Sequence, residues 1–132
     1  MHDYYLSKYE VNHKKGTIAL SLEDPHAAPV HQVTAMFEGC VAYKFVHDTF
    51  HLGTILFSIS EIDPNEIYGK YGSEFLLDLP YGWPGEWAKS AEEACNFFEE
   101  EGVKGYWIVP SLGLSGWVLA KAYEVKSGND AG

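Results

Sequence analysis

Apolar and polar positions alternate along much of this chain, and a period of two marks strands whose one face packs against a core. Tyr5, Ser7, Tyr9 and Val11 open the pattern, and Ile18, Leu20 and Leu22 resume it. Between them lies Asn12-His13-Lys14-Lys15-Gly16, polar and ending in the residue that most readily takes positive φ. This spacing predicts a β-hairpin. Residues 23–31, with Pro25 and Pro29, read as a loop. Val33, Ala35, Phe37, Gly39, Val41, Tyr43 and Phe45 then all fall on odd positions. That run exceeds an ordinary strand, so it predicts a long strand bent at Gly39, with a tight turn at Glu38-Gly39 as the alternative.

Residues 48–53 read as a turn, and Ile55, Phe57 and Ile59 as the next strand. Asp63-Pro64-Asn65-Glu66 is a helix start or a turn, because Asp caps and Pro fits the first helical position. Gly69 and Gly72 predict that whatever begins there is short, and Phe75, Leu77 and Leu79 predict another strand ending at Pro80. The main helix is marked by Ser90 with Glu93 three residues on, a capping box. Ala91, Ala94, Cys95 and Phe98 supply its apolar stripe and Gly102 its stop, giving a helix over about 88–101. Residues 103–109 and 116–125 read as a terminal pair of strands joined by a loop at 110–115, and 127–132 as a frayed tail. The expected fold is one α+β domain over 1–132. It has a mostly antiparallel sheet of about six or seven strands, with the one main helix packed on one face.

At 132 residues, 46% hydrophobic and 15% aromatic, the chain can bury a core without staples. Its formal charge is −10, and every one of its basic residues other than histidine is Lys. An acidic chain without Arg has neither the field nor the bidentate donor that phosphate backbones call for, so nucleic acid is not an expected partner. Anionic membrane surfaces are excluded by the same sign. A basic protein would be attracted, although the simplest use of such charge is solubility. The N-terminus lacks a signal-like apolar core and no run is long enough to span a bilayer, which predicts a cytoplasmic protein. Cys40 and Cys95 sit among apolar neighbours and read as core packing rather than nucleophiles.

Motifs that carry chemistry are scarce, and no cofactor is implied. His47 and His51 stand four apart, a chelating spacing on a helix, but here they flank a turn and no third ligand is placed beside them. Solvated turn histidines are the better explanation. Gly113-Leu114-Ser115-Gly116 lacks the spacing of a nucleophile elbow, and no glycine loop of a nucleotide site occurs. Two features stand out. Tyr81, Trp83 and Trp87 share a segment punctuated by Gly and Pro, suited either to a lid over the core or to recognition. Glu99, Glu100 and Glu101 crowd the C-terminal end of the helix, where the macrodipole disfavours negative charge. Together they predict a non-enzymatic protein-binding module, immunity- or antitoxin-like, that steers a basic partner by charge and anchors it by aromatic rings. A second copy of the chain is a variant of that partner. The alternatives are a small-molecule or hydrolytic site on the sheet face, rimmed by Tyr43, Trp83, Trp87 and the histidines, and a structural accessory domain.

Overall fold

A computed structural model describes residues 4–24, 31–47, 54–78, 85–112 and 114–127. The first alternating pair forms the expected hairpin, β1 (Tyr4–Asn12) and β2 (Thr17–Asp24), with Tyr9 opposite Leu20 and Val11 opposite Ile18. Its turn closes through Gly16 N donating to Asn12 O at 2.9 Å and Lys15 N donating to Asn12 Oδ1 at 3.0 Å. The long odd-numbered run forms β3 (His31–Glu38) and β4 (Ala42–His47), bent at Gly39. β5 (Thr54–Ile62) leads into α1 (Pro64–Asp78), a 3₁₀ turn at Glu86–Lys89, and α2 (Ala91–Glu101). β6 (Lys104–Leu112), β7 (Leu114–Ala120) and β8 (Ala122–Ser127) complete the chain. The fold is α+β, with eight strands and two α-helices among the described residues.

The strands hydrogen-bond in the order β4-β7-β6-β5-β1-β2-β3-β8, and the neighbours are antiparallel. The two ends of that order are joined through the chain, because β4 continues β3 and β8 continues β7. Glu38 faces Ala122 on one side of the bend and Ala42 faces Leu119 on the other, so four steps along one strand oppose three along its partner. That is a bulge, which bends a strand pair. Lys121 N donates to Glu38 O at 3.0 Å, and Val41 N to Leu119 O at 2.9 Å, carrying the ladder through the corner. Gly39 has φ 63° there, and a Cβ would lie 2.9 Å from Lys121 Cβ. The sheet therefore folds over into two leaves, β5-β1-β2-β3-β8 and β4-β7-β6-β5, with bent strands passing between them.

Two cores result. Between the leaves, Ile18, Leu20, Leu22, Val33, Ala35 and Phe37 meet Tyr106, Ile108, Val118 and Ala120. On the outer face of the second leaf, Trp117 and Leu119 meet Ile67 and Phe75 of α1, Ala94 and Phe98 of α2, and Ala88. Residues 117–120 are all buried because β7 has a core on each face. The bulge splits the odd-numbered pattern. Val33, Ala35 and Phe37 are buried between the leaves, whereas beyond Gly39 the residue Val41 packs on the helix side and Phe45 on the inter-leaf side.

The sequence pattern misjudged one element. The segment expected to end early and give way to a strand over Phe75 and Leu77 is the continuous helix α1, which passes through Gly69 and Gly72; Leu79, the end of the expected strand, lies outside the described residues. Asp63 caps it, its Oδ1 accepting from Asn65 N at 2.9 Å. Two helical glycines cost about 1 kcal/mol each. Burying Ile67 and Phe75, two turns apart on one stripe, returns about 1.5–3 kcal/mol each, so packing wins. α2 ends where expected but begins at Ala91, residues 88 and 89 belonging to the 3₁₀ turn. Ser90 Oγ accepts from Glu93 N at 3.1 Å, and Gly102 takes the left-handed φ of 68°. Of the expected stripe Ala94 and Phe98 are buried, Cys95 is half-buried and Ala91 is exposed. The last two strands extend further into the expected loop, and the second is divided at Lys121 into β7 and β8.

Candidate functional site

The bend in β3–β4 leaves a cleft of about 440 Å³ where four parts of the fold meet. The hairpin end contributes Val11, Asn12, His13 and residues 16–18, the corner contributes Cys40 to Lys44, α1 contributes Glu74 and Phe75, and β7 contributes Trp117. Gly16 O accepts from Cys40 N at 2.9 Å, tying the hairpin turn to the corner. Along β4, period two sends Tyr43 and Phe45 to one side, where their rings lie 5.2 Å apart and Tyr9 meets Phe45 edge-on at 5.2 Å. Lys44 goes to the other side. Its Nζ lies 2.5 Å from Glu74 Oε1 and 5.6 Å from the centre of the Tyr71 ring.

Trp117 forms the floor shared with the helix-side core. It is 2% exposed, and its ring packs against Tyr71 at 5.6 Å and edge-on against Phe75 at 5.4 Å. Indole Nε1 is a donor only, and in Trp117 it is buried without a hydrogen-bond partner. Gly116, at φ 155°, lets this strand approach β4, since a Cβ there would sit 1.9 Å from Lys44 O. Cys40 Sγ lies 3.5 Å from Phe37 O, and burial, assisted by the Glu38 carboxylate and opposed by a backbone hydrogen bond at Ile18, raises its pKa to about 11. At neutral pH it is a thiol, a packing group rather than a nucleophile.

No protein-family model matches the chain, and no curated protein matches its sequence.

The residues singled out in the sequence are dispersed. Tyr81, Trp83 and His51 lie outside the described residues, and His47 is placed by its backbone at the end of β4, opposite Leu114. Among the described residues no group of three or more His, Cys, Asp and Glu could hold a metal ion. Trp87 is half-buried in the 3₁₀ turn, stacked on Phe97 at 5.0 Å and packed on Phe98 at 5.3 Å and Phe75 at 5.9 Å. Trp87 thus packs onto the helix-side core, and through Phe75 it connects to Trp117, with Tyr71 linking on to Trp107 at 6.2 Å. Glu99, Glu100 and Glu101 are exposed at the end of α2. Glu101 reaches Lys121 at 3.2 Å, and Cys95 Sγ lies 3.8 Å from Glu99 Oε1. Trp87 and the acidic end thus engage different neighbours. No helix of the described residues is long and apolar enough to cross a membrane.

Of the residues expected to rim a pocket, Tyr43 borders this cleft, Trp87 packs on the helix-side core instead, and Trp83 lies outside the described residues. Glu74 and Phe75 were missed because the glycines of α1 obscured a stripe at Ile67, Tyr71 and Phe75, whose spacing of four is helical. Cys40 and Lys44 carry no local signal for a site: only the folding of the sheet onto itself brings them to one cleft with Trp117.

Proposed function

We propose that this chain is a binding domain for a small molecule held in the cleft between the hairpin end, the sheet corner and α1. The observation that supports it is the cleft itself. Its volume, about 440 Å³, falls in the range of small-molecule sites, about 300–1,000 Å³, and apolar walls with a few polar groups are what such sites offer. The chemistry of the walls favours binding over covalent catalysis. Cys40 is held as a thiol, and the Lys44 ammonium and Glu74 carboxylate are engaged with each other. A fragment screen followed by amide NMR tests the proposal. Hits are expected to move Val11, Thr17, Val41 and Phe75 together; shifts scattered over the surface, or confined to the end of α2, would sink it.

One observation favours the second reading, a basic protein partner. Glu99, Glu100 and Glu101 are exposed at the helix end where the dipole disfavours them, and the last turn of α2 holds no basic residue. Replacing Glu99 and Glu100 with Gln is expected to raise stability by a few tenths of a kcal/mol at low salt. It should also weaken salt-sensitive capture of a basic partner. A stability gain with unchanged capture would remove this reading, as would a loss of stability.

A further inference from the structure

We propose that β8 is an edge-pairing surface whose partner is the β8 of a second copy of this chain, the two strands running antiparallel about a two-fold axis through Val125. β8 ends the strand order, with β3 as its one ladder partner among the described residues. An edge strand presents a row of unpaired N–H and C=O groups, and proteins commonly blunt it with a bulge, a proline or an inward-pointing charge. β8 has none of these. Its register with β3 runs without a shift from Glu38 opposite Ala122 to Val33 opposite Ser127, and Ala122–Ser127 holds no proline. Directly opposed residues share a face. Tyr123 and Val125 lie opposite Phe37 and Ala35 of the inter-leaf core, so the inward positions are apolar. Val125 is still 45% exposed, an inward-facing side chain that its own chain leaves half uncovered.

Symmetry and charge select the register. A two-fold interface uses the same patch on both copies. With the axis normal to the sheet, opposed residues share a face only if the axis passes through a residue position. An axis at Glu124 or at Lys126 would set that residue against its own copy, and like charges directly opposite are destabilising. An axis at Tyr123 would set Glu124 against Ala122 and leave Lys126 without an acid. An axis at Val125 sets Val125 against Val125, Tyr123 against Ser127, and Glu124 against Lys126 twice over. Glu124 and Lys126 already pair at 3.1 Å within one chain, so the four charges alternate in sign around the axis. Lys on an edge ordinarily deters a second strand; here the copy brings an acid to meet it. The other end of the strand order, β4, lacks this property, because Ala42–His47 contains Lys44 and no carboxylate to face it. The net charge of −10 opposes association at long range, but exposed charges more than about 8 Å apart are largely screened at physiological ionic strength.

Sedimentation equilibrium of the full chain over a concentration series, at about 0.15 M salt, measures the association, and amide NMR shifts along the same series locate it. Wild type is expected to dimerise weakly, as small interfaces do, with the amides of residues 123–127 moving most. Lys126→Glu and Glu124→Lys each turn both opposite-charge pairs into like-charge pairs, and each is expected to weaken self-association about tenfold. Mixed in equal amounts, the two variants bring opposite charges back to both pairs, so a heterodimer about as tight as wild type should form. Thermal unfolding checks the fold of each variant; if either fails to fold, the wild-type series and its shift map decide. Wild type that stays monomeric up to about 1 mM overturns the proposal, as does a dimer whose shifts centre on the end of α2 or on the cleft. Single variants that associate as tightly as wild type, or a mixture that does not recover, overturn the pairing centred on Val125.

Discussion

Cys40 illustrates how a single side chain records the geometry around it. Its pKa rises from 9.0 to about 11 because the corner of the sheet removes it from water, with Glu38 adding repulsion and a backbone bond at Ile18 opposing both. An acid whose native pKa is raised favours folding while it is protonated. The contribution is fully present below pH 9.0 and is lost as pH climbs towards about 11. Because the group is only partly buried, its size after allowing for solvent screening is on the order of 1 kcal/mol. Tyr106 and Tyr123 titrate upwards for the same reason, burial between the leaves. The test is therefore a difference: urea stability of wild type and Cys40→Ala measured at pH 7.5, 9 and 10.5. Wild type should lose more stability than the variant across the upper interval. Parallel losses would place Cys40 in contact with solvent. A cysteine's neighbours in sequence showed that it would pack, but its place at a cleft depends on which strands meet.

The two helices show which signals survive a reading of the chain. α2 was legible because its information is local: Ser90 and Glu93 form the cap, Ala94 and Phe98 the stripe, and Gly102 the stop. α1 was obscured because local and tertiary signals conflict. Gly69 and Gly72 argue for interruption, and only burial of Ile67 against β6 and Phe75 against β7 resolves the conflict. This difference is testable at Gly69, which is exposed and would meet nothing within 4 Å if given a Cβ. Gly69→Ala should stabilise the protein by about 0.5–1 kcal/mol in urea denaturation. Gly72→Ala should gain less, since its Cβ would come within 3.2 Å of the Tyr68 ring. A destabilised Gly69→Ala would mean that the glycine is held in a non-helical geometry, and that α1 is interrupted as its sequence suggests. The cleft depends on this element directly, because Glu74 and Phe75 reach it only if the helix continues past Gly72.

At the scale of the molecule, period-two spacing foretold an antiparallel sheet and a bend at Gly39. It could not foretell that the bend, paired with Lys121, would fold that sheet onto itself. Such pairing is a contact between residues about eighty positions apart, and nothing in the local pattern of either strand names the other. The corner is nevertheless the joint on which both cores and the cleft depend: Val33, Ala35 and Phe37 lie between the leaves, and Cys40 and Val41 line the cleft beyond it. Gly39→Ala is the sharpest probe of that joint. A non-glycine residue at φ 63° costs about 1–2 kcal/mol, and the added Cβ also presses on Lys121. If the corner is a local joint, native-state hydrogen exchange should show the amides of Val41 and Lys121, which bridge it, losing more protection than those of Leu20 and Leu22 in the inter-leaf core. If all four lose protection equally, the corner opens only with global unfolding and the leaves form a single cooperative unit. That outcome would refute a separately yielding joint, and it would mean that the cleft's walls cannot part without the whole fold coming undone.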